Sequence, residues 1–494
     1  MLYGAYEFLH RTLGFEIYAA NEIALDTEVQ QLRLEKFNVS DAPDILYRHA
    51  NYGTLTNQTV GNRFRMQNDI WMSKDGYWVH NSFGEYFPKS KYGDNTDWYS
   101  DDMTQLCYTA HGKADELEKM REVAFTHITE IIDYFYSMGD FRESLSFSQE
   151  DGNTWCRCAT CTKIKQDYGA NSASVIKFLN PVARRVKEWM AQNWPGHSVN
   201  ITFFAYVETV DAPVKSVDGK YVPVDDSVIL EDNLALWYAP IYAQFIYDFN
   251  HEKNSGFMDI LNKWNALTDK FYLWFYSTQF SDYLLWYDTF NSMQPIYRLA
   301  KEINAAYLFD QARYNTSALT AFDHLKVYLN SKLAWNVDAD YNELIDNFFA
   351  NYFRDAAGPM REYFESFRSW SQYLKDTDEF AIPGQPNSGP DLANAMYWPK
   401  QVLVRWNDCI EKAYKAIESL KLSDRDLYDK LYDRIMSESI AIRYHLIELH
   451  GTTYTDSELT AMKLSFKEDA TRLGFTKIKE FGSLEQHVYS KWGV

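Results

Sequence analysis

The sequence predicts an α/β protein built on a (β/α)8 TIM-type barrel, with a partial α/β segment before it and an α-helical domain after it. Strand and helix patterns alternate from Asp44 onward, several strand patterns are unbroken apolar runs, and strand signals stop after Leu319. Apolar strands that alternate with helices are typical of parallel sheets with helices on the outside. We therefore assign 1–40 to a remnant of a small α/β domain, 41–318 to the barrel and 319–494 to the helical domain.

The predicted elements follow from apolar spacing, which alternates along a strand and repeats about every 3.6 residues along a helix. Before the barrel we predict a helix over 3–13 and strands over 15–18 and 27–37. The predicted barrel strands are 45–48, 77–80, 105–109, 144–148, 199–206, 233–238, 271–276 and 305–310. The clearest helices between them are 114–136, 172–193, 256–268 and 288–301. The C-terminal helices are 340–353, 359–374, 391–420, 424–449 and 456–473.

Composition restricts the classes of partner that the chain can bind. Apolar residues make up 46% of the 494 residues, enough for a large core. The net charge of −20 disfavours nucleic-acid phosphates and anionic lipid, and no apolar run is long enough to span a bilayer. The first residues lack a basic segment followed by an apolar block, so we predict no export signal. The expected location is cytoplasmic or, if an upstream start is missing, exported.

Two acidic residues follow the predicted strand 144–148, at the strand end where barrel enzymes carry their catalytic groups. Side chains alternate across a strand, so Leu145 and Phe147 should face the covering helices and the serines should face the axis. If the alternation continues, Glu150 points inward and Asp151 outward. If the strand ends at residue 149, Asp151 can turn inward. A helix N-cap or a simple turn at Asp151-Gly152 is the structural alternative.

Aromatic residues, 17% of the chain, also occur near predicted strand ends. Tyr272, Trp274 and Tyr276 share one strand face, where they form either a platform for sugar rings or ordinary core packing. Asp310 ends the eighth predicted strand, as a catalytic partner for the two acids or as an ion-pair partner for Arg313. The other candidate substrate-binding residues are Arg48, His80, Tyr206, Trp237 and Tyr238.

This arrangement favours glycoside hydrolysis, which ordinarily needs one carboxyl group to protonate the leaving oxygen and a second to stabilise the anomeric centre. The candidate catalytic residues are Glu150, Asp151 and Asp310. Crowding of carboxyl groups raises the pKa of one of them and keeps it protonated near neutral pH. A substrate with a 2-acetamido group can attack internally, and the protein then needs an acid and a residue that orients the amide.

Cysteines follow the acids at once, as Cys156, Cys158 and Cys161, with Cys107 and Cys409 elsewhere. An odd and sparse set of cysteines disfavours a disulfide framework. Three thiols in one loop fit either a structural zinc ion, with Cys107 or a histidine as fourth ligand, or a buried cluster without metal. We predict no cofactor for catalysis itself.

Several of these motifs resemble a bacterial family called domain of unknown function 4838. Ser146-Phe-Ser-Gln-Glu-Asp151 followed by Cys156-Arg-Cys-Ala-Thr-Cys161 is similar to the family hallmark, in which a Gln-Asn-Asp-like triplet precedes Cys-x-Cys-x-x-Cys. Weaker similarities occur at 3–18, Trp98-Tyr99, 105–109, 274–276, Phe309-Asp-Gln311 and Lys332-Leu-Ala-Trp335 with Asp340.

The resemblance implies a barrel glycosidase, because some members are classed in glycoside hydrolase family 163 as endo-β-N-acetylglucosaminidases acting on N-glycans. It places the acid at Glu150 or Asp151 and a second carboxylate at Asp310. Three residues depart from the family pattern: Glu150 replaces a frequent Asn, Phe275 a common Asp and Asp310 a typical Glu.

We therefore predict a hydrolase of β-linked N-acetylhexosamine in oligosaccharides or glycoprotein glycans. One alternative is a glycan-binding barrel without catalysis, which Phe275 and Asp310 favour. The other is an α-glucuronidase-like exo-enzyme, which would need basic residues in its pocket, with Arg48, His80 and Arg313 as the candidates near strand ends.

Overall fold

A curled parallel sheet lies at the centre of the protein. The computed structural model describes residues 2–26, 28, 38–66, 70–377 and 379–494. The strands are β1 (Glu16–Ala19), β2 (Glu22–Ala24), β3 (Tyr47–Asn51), β4 (Ser144–Ser146), β5 (Asn200–Ala205), β6 (Val214–Val217), β7 (Lys220–Pro223), β8 (Leu234–Tyr238), β9 (Phe271–Tyr276), β10 (Tyr307–Gln311), β11 (Lys477–Lys479) and β12 (Gly482–Ser483).

Helices cover this sheet and form most of the C-terminal third of the chain. They are α1 (Leu2–Leu13), α2 (Gln58–Arg63), α3 (Lys89–Tyr92), α4 (Ala114–Ser137), α5 (Ala159–Tyr168), α6 (Ser172–Asn193), α7 (Ser255–Trp264), α8 (Phe290–Glu302), α9 (Asp323–Trp335), α10 (Tyr341–Tyr352), α11 (Ala357–Asp376), α12 (Gly389–Leu392), α13 (Lys400–Ile417), α14 (Leu420–Ser423), α15 (Arg425–His450), α16 (Asp456–Arg472) and α17 (Ser490–Trp492). None of the helices among the described residues combines the length and apolar character needed to cross a membrane.

The central sheet has six strands in the order β3-β10-β9-β8-β5-β4, and every pair is parallel. These strands correspond to six of the eight that the sequence predicts. The protein therefore has a mixed α/β fold with a curled parallel half-barrel. Within the described part of the chain, three antiparallel hairpins, β1–β2, β6–β7 and β11–β12, lie outside this sheet.

The two remaining predicted barrel strands, 77–80 and 105–109, are wrong. The first contains His80 at a φ of 49°, a left-handed conformation that interrupts an extended strand. Nearby, Trp71 forms a single parallel bridge with Ser144 of β4. In the second, Leu106 pairs only with Tyr99, and a turn follows at once. The strand predicted over 27–37 falls almost entirely outside the described residues.

Aromatic rings fill the interior of the curled sheet. Trp237 of β8 stacks on Trp71, with ring centroids 4.4 Å apart and an angle of 7° between the planes. Tyr272 of β9 extends inward to the hydroxyl of Ser144, 2.8 Å away. The outward residues pack against helices, as Phe147 does against Phe178 of α6. The predicted alternation of the serines and the apolar residues around β4 agrees with these contacts.

The C-terminal region is mostly helical, and it also supplies two loops at the C-terminal ends of the sheet strands. The helix predicted over 391–420 is shorter, because α13 begins only after Pro399, a residue suited to a helix start but not to a helix interior. The segment before it reaches the sheet, where the amide of Phe280 donates to the carbonyl of Pro386. The β11–β12 hairpin is the second of these loops, and the sequence pattern did not predict it.

Candidate active site

A cavity of about 460 Å3 opens at the C-terminal ends of the sheet strands. Asn51, Tyr276 and Gln311 end three neighbouring strands in register and form part of its wall. Loops after the strands and the two C-terminal loops complete the lining, which is Asn51, Trp78, Val79, His80, Asp151, Phe204, Tyr206, Ala239, Ile241, Trp274, Tyr276, Phe280, Phe309, Gln311, Tyr314, Asn387 and Glu480. The cavity thus contains two carboxyl groups among aromatic rings.

Asp151 enters the cavity because regular pairing of β4 ends early, at Ser146. This is the outcome expected if the strand alternation does not continue to the acids. The hydroxyl of Tyr206 donates to Oδ1 of Asp151 at 3.2 Å, and Nε2 of His80 lies 4.0 Å from the same oxygen. The side chain of Asp151 is 69% exposed, so its carboxylate is accessible to a solvent-borne substrate.

Glu480, in the turn between β11 and β12, is the second carboxyl group of the cavity. Its amide donates to the carbonyl of Phe280 at 3.1 Å. Nδ2 of Asn315 donates to the carbonyl of Glu480 at 2.6 Å. These bonds attach the hairpin to the loops that follow β9 and β10, and Tyr314, which also lines the cavity, is near enough to Glu480 to influence the pKa of its carboxyl.

The pKa shifts of several groups in the cavity depend on Asp151, on Glu480 or on both, which indicates that the two carboxyl groups face a common space. Burial raises the pKa of the Glu480 carboxyl, the negative charge of Asp151 raises it further, and the nearby hydroxyl of Tyr314 opposes the rise. Burial also raises the pKa values of Tyr206 and Tyr276, and both carboxylates add to that rise. A carboxyl group with a raised pKa stays protonated to a higher pH, so Glu480 is suited to donate a proton.

Glu150 lies beside the cavity but is not part of its lining. Its Oε1 accepts hydrogen bonds from the hydroxyl of Ser82 at 3.0 Å and from the amide of Phe83 at 2.7 Å. Burial raises the pKa of Glu150, and these two hydrogen bonds oppose the rise. The side chain therefore binds the 82–86 turn, while its backbone carries the chain into Asp151.

Asp310 lies behind the sheet, away from the cavity. Gln311 and Phe309 face inward from β10, so the strand alternation points Asp310 outward toward α9. Its Oδ2 accepts hydrogen bonds from the hydroxyl of Ser277 at 2.8 Å and from Nδ2 of Asn330 at 2.7 Å. The expectation that Asp310 meets the other acids in one cleft is therefore corrected, since only Asp151 of the three lines the cavity.

Substitution of Asp310 by Asn should change how stability depends on pH. Burial raises the pKa of the Asp310 carboxyl to about 6, so the folded protein holds this proton more tightly than the unfolded chain does. That contribution is fully present below the unfolded pKa and is lost as pH rises through 6. From pH 4 to pH 7, we expect wild type to lose about 2 kcal/mol of unfolding free energy relative to Asp310→Asn. Urea unfolding of both proteins across that range measures the difference, and parallel pH curves would contradict it.

Four of the seven predicted substrate-binding residues line the cavity: His80, Tyr206, Trp274 and Tyr276. The indole of Trp274 stacks on Trp78, with centroids 5.8 Å apart and planes 4° from parallel. Its Nε1 donates to Oε1 of Gln311 at 2.9 Å, which fixes the orientation of the ring. Trp274 thus supports the ring of Trp78, which also lines the cavity.

The other three predicted substrate-binding residues do not reach the cavity, and their assignment is corrected. Trp237 points inward but is fully buried beneath the rings that line the cavity. Tyr238 points to the opposite face, where its hydroxyl donates to the carbonyl of Phe257 in α7 at 3.1 Å. Arg48 is also buried, and its guanidinium donates to the carbonyls of Ile45, Leu46 and Arg65.

The cysteines form a separate group next to the loop of Asp151. The sulfurs of Cys107, Cys156, Cys158 and Cys161 all lie within 4.8 Å of one another. The structure thus brings the three predicted cysteines together with Cys107, the cysteine considered as a fourth ligand. Cys409 is buried on α13 and is not a member of this group.

The fold and the site define an α/β protein with a two-carboxylate, aromatic-lined cavity at the end of a curled parallel sheet. The chain belongs to the family described as Domain of unknown function (DUF4838), whose model matches residues 22–366. The family resemblance drawn from the sequence is confirmed, whereas membership of glycoside hydrolase family 163 stays a prediction. The match includes Asp151 and the central sheet but ends before Glu480. A comparison with curated proteins found no significant match.

Two solved structures show a limited likeness to the chain. One is a GH138 enzyme targeting pectin rhamnogalacturonan II, at 11% identity and a TM-score of 0.36, with 89% of this chain and 78% of that chain covered. The other is CpGH84B, at 11% identity and a TM-score of 0.39, with 92% and 77% covered. Likeness at this level does not establish a common activity.

Proposed function

We propose that this protein is a glycoside hydrolase in which Glu480 is the general acid and Asp151 is the second carboxylate. The observation that carries the proposal is that these two carboxyl groups, from distant parts of the sequence, line one open cavity with aromatic walls. Glycoside hydrolysis uses such a pair, with one group protonated and the other ionised.

The environments of the two groups suit different roles. Glu480 is half-buried, and its raised pKa favours the protonated form that can donate to the leaving oxygen. Asp151 is exposed and accepts a hydrogen bond from Tyr206, which holds its carboxylate toward the cavity. Trp78 is partly exposed and lines the cavity, so a sugar ring can stack on it, and Trp274 supports it from within the fold.

We further propose that the substrate contains a β-linked N-acetylhexosamine, as in N-glycans. The family resemblance supports this class, and so does the position of Asp151 beside the hydroxyl of Tyr206, where it can orient a 2-acetamido group for internal attack. A uronate substrate is less well supported. Of the three basic candidates for binding a uronate, His80 alone lines the cavity, whereas Arg48 is buried and Arg313 is buried 2.8 Å from Asp323.

Assays with N-glycans and aryl N-acetyl-β-glucosaminides test the proposal. Wild type should hydrolyse at least one of them, and Asp151→Asn should lower turnover about 100-fold or more. A suitable control is Asp101→Asn, an exposed acid outside the cavity that should leave turnover unchanged. Glycan binding without hydrolysis would overturn the enzyme assignment in favour of the glycan-binding alternative. Neither binding nor hydrolysis would overturn both.

Replacement of Tyr314 by Phe should shift the pH profile of hydrolysis. The nearby hydroxyl of Tyr314 favours the ionised form of the Glu480 carboxyl and lowers its pKa, so removal of this hydroxyl should raise the pKa of Glu480 further. A general acid is active while protonated, so the alkaline limb of kcat/KM should move to higher pH. The exposed Tyr242, replaced by Phe, is the control. A shift toward lower pH, or an equal shift in both variants, would contradict the role of Glu480.

A further inference from the structure

The four-cysteine group has a geometry that the proposed hydrolysis does not require. Sγ of Cys107 lies 3.8 Å from Sγ of Cys158 and 3.8 Å from Sγ of Cys161. A disulfide bond brings two sulfurs to about 2.05 Å, so these thiols are not paired as disulfides. A tetrahedral ion with bonds of about 2.3 Å to four sulfurs would separate each pair of sulfurs by about 3.8 Å. The two separations from Cys107 match a single tetrahedral ion, and all four sulfurs lie within 4.8 Å of one another.

The surroundings of the sulfurs suit thiolate ligands. The amide of His111 donates to Sγ of Cys107 at 3.1 Å, and the amide of Cys161 donates to Sγ of Cys158 at 3.4 Å. The hydroxyl of Thr109 lies 3.3 Å from Sγ of Cys107 and 3.2 Å from Sγ of Cys161. Donors that point at metal-bound sulfurs spread their negative charge and fix their orientation.

We infer that Cys107, Cys156, Cys158 and Cys161 bind one structural zinc ion, which anchors the loop that carries Asp151. Four thiolates in a tetrahedron select zinc among common divalent ions. Three of these cysteines are buried and all four positions are filled by protein sulfurs, so no position remains open for water or substrate. Such a closed site is structural rather than catalytic.

The link to Asp151 runs through two short chain segments, 104–107 and 150–161. Nε2 of Gln105 donates to the carbonyl of Glu150 at 2.9 Å, and the amide of Glu150 donates to Oε1 of Gln105 at 3.1 Å. The hydroxyls of Thr104 and Thr154 lie 2.8 Å apart. Zinc would join the same segments at Cys107 and at the Cys156–Cys161 turn. The ion and the Gln105 amide together would fix the backbone immediately before Asp151.

The zinc content of the full chain tests this inference without any assay of hydrolysis. Protein purified under reducing conditions without chelator should contain about one zinc ion per chain by mass spectrometry of the metal. Cobalt added to the zinc-free, reduced protein should give the visible absorption of tetrahedral thiolate coordination. Less than about a tenth of an ion per chain together with no cobalt spectrum would overturn the inference. Equimolar iron without zinc would overturn the choice of metal.

Variants locate the ligands and test the link to Asp151. Cys107→Ser should lower zinc affinity at least about tenfold, whereas Cys409→Ser, which changes a buried cysteine outside the group, should bind zinc like wild type. Equal losses in both variants would overturn the ligand assignment. If Cys107→Ser does not fold, the cobalt spectrum of the wild-type protein still tests whether thiolates bind a metal ion tetrahedrally. Zinc removal should also speed hydrogen exchange of the Glu150 amide, and unchanged exchange would overturn the anchoring role.

Discussion

Replacement of Glu480 by Gln should lower the turnover number for glycoside hydrolysis about 100- to 10,000-fold, the contribution of a positioned general acid. Gln has nearly the same shape and keeps a polar oxygen near Tyr314, but it carries no acidic proton to donate. Substrate affinity should therefore change little. Steady-state kinetics and glycan-binding measurements on the same variant separate these two effects.

The choice of substrate makes this prediction sharper. An aryl glycoside with an acidic leaving group needs little protonation, so Glu480→Gln should hydrolyse it with a much smaller loss than a natural glycan. Asp151→Asn should impair both substrates, because its carboxylate orients the 2-acetamido group that attacks the anomeric centre and does not act at the leaving oxygen. Equal losses for both substrates in Glu480→Gln would contradict its role as the acid.

A matched control lies five residues further along the chain. Glu485 has a side chain that is 69% exposed and lies 3.9 Å from Lys467, away from the cavity. Glu485→Gln makes the same chemical change in the same C-terminal segment and should leave turnover unchanged. A comparable loss in both variants would show that the C-terminal charge, rather than a proton on Glu480, matters.

The sequence predicted those parts of the site that depend on local alternation. Six strands were located from apolar runs, and the inward face of β9 correctly placed Trp274 and Tyr276 beside each other. Whether Asp151 points outward or turns inward depended on the residue at which β4 ends, and the sequence pattern did not determine that residue. Alternation along β10 also points Asp310 outward. However, the sequence alone does not say which face of the strand is inward, because that depends on how β10 pairs with its neighbours in the sheet.

Glu480 could not be found this way, because its position depends on tertiary packing. The hairpin around it has strands of three and two residues, too short for an alternating pattern to stand out. Its only local signal is Ile478 between two lysines, followed by a turn that ends at Gly482. The bonds that bring it to the cavity join it to Phe280 and Asn315, more than 160 residues away in sequence.

Replacement of Asp323 by Ala should lower the free energy of unfolding by about 3–5 kcal/mol, the cost of removing one partner from a buried ion pair. Asp323 is the first residue of α9 and is almost fully buried. Its Oδ2 lies 2.8 Å from Nε of Arg313, and its Oδ1 lies 3.2 Å from Nζ of Lys326. Alanine would leave two buried cations without this counter-charge.

Glu438, a buried acid near Arg313, is poorly placed to compensate at neutral pH. Burial raises the pKa of Glu438 to about 8, so its carboxyl is largely protonated at neutral pH. Its Oε2 accepts a hydrogen bond from the amide of Phe322. Lys326 also donates to the carbonyls of Ser277 and Tyr287, which follow β9. Loss of Asp323 should therefore loosen the chain next to Tyr276 in the cavity wall as well as destabilise the fold.

Asp338→Ala is the matched control for this prediction. Asp338 also has two cationic partners, with Nε of Arg298 at 3.0 Å and Nζ of Lys301 at 3.6 Å, but its side chain is 61% exposed. Water screens such a pair, so its loss should cost no more than about 1 kcal/mol. Denaturant unfolding of both variants compares them directly. Each aspartate has two cationic partners. A large loss of unfolding free energy in Asp323→Ala alone would therefore assign the difference to burial of the ion pair. Equal losses in both variants would contradict this prediction.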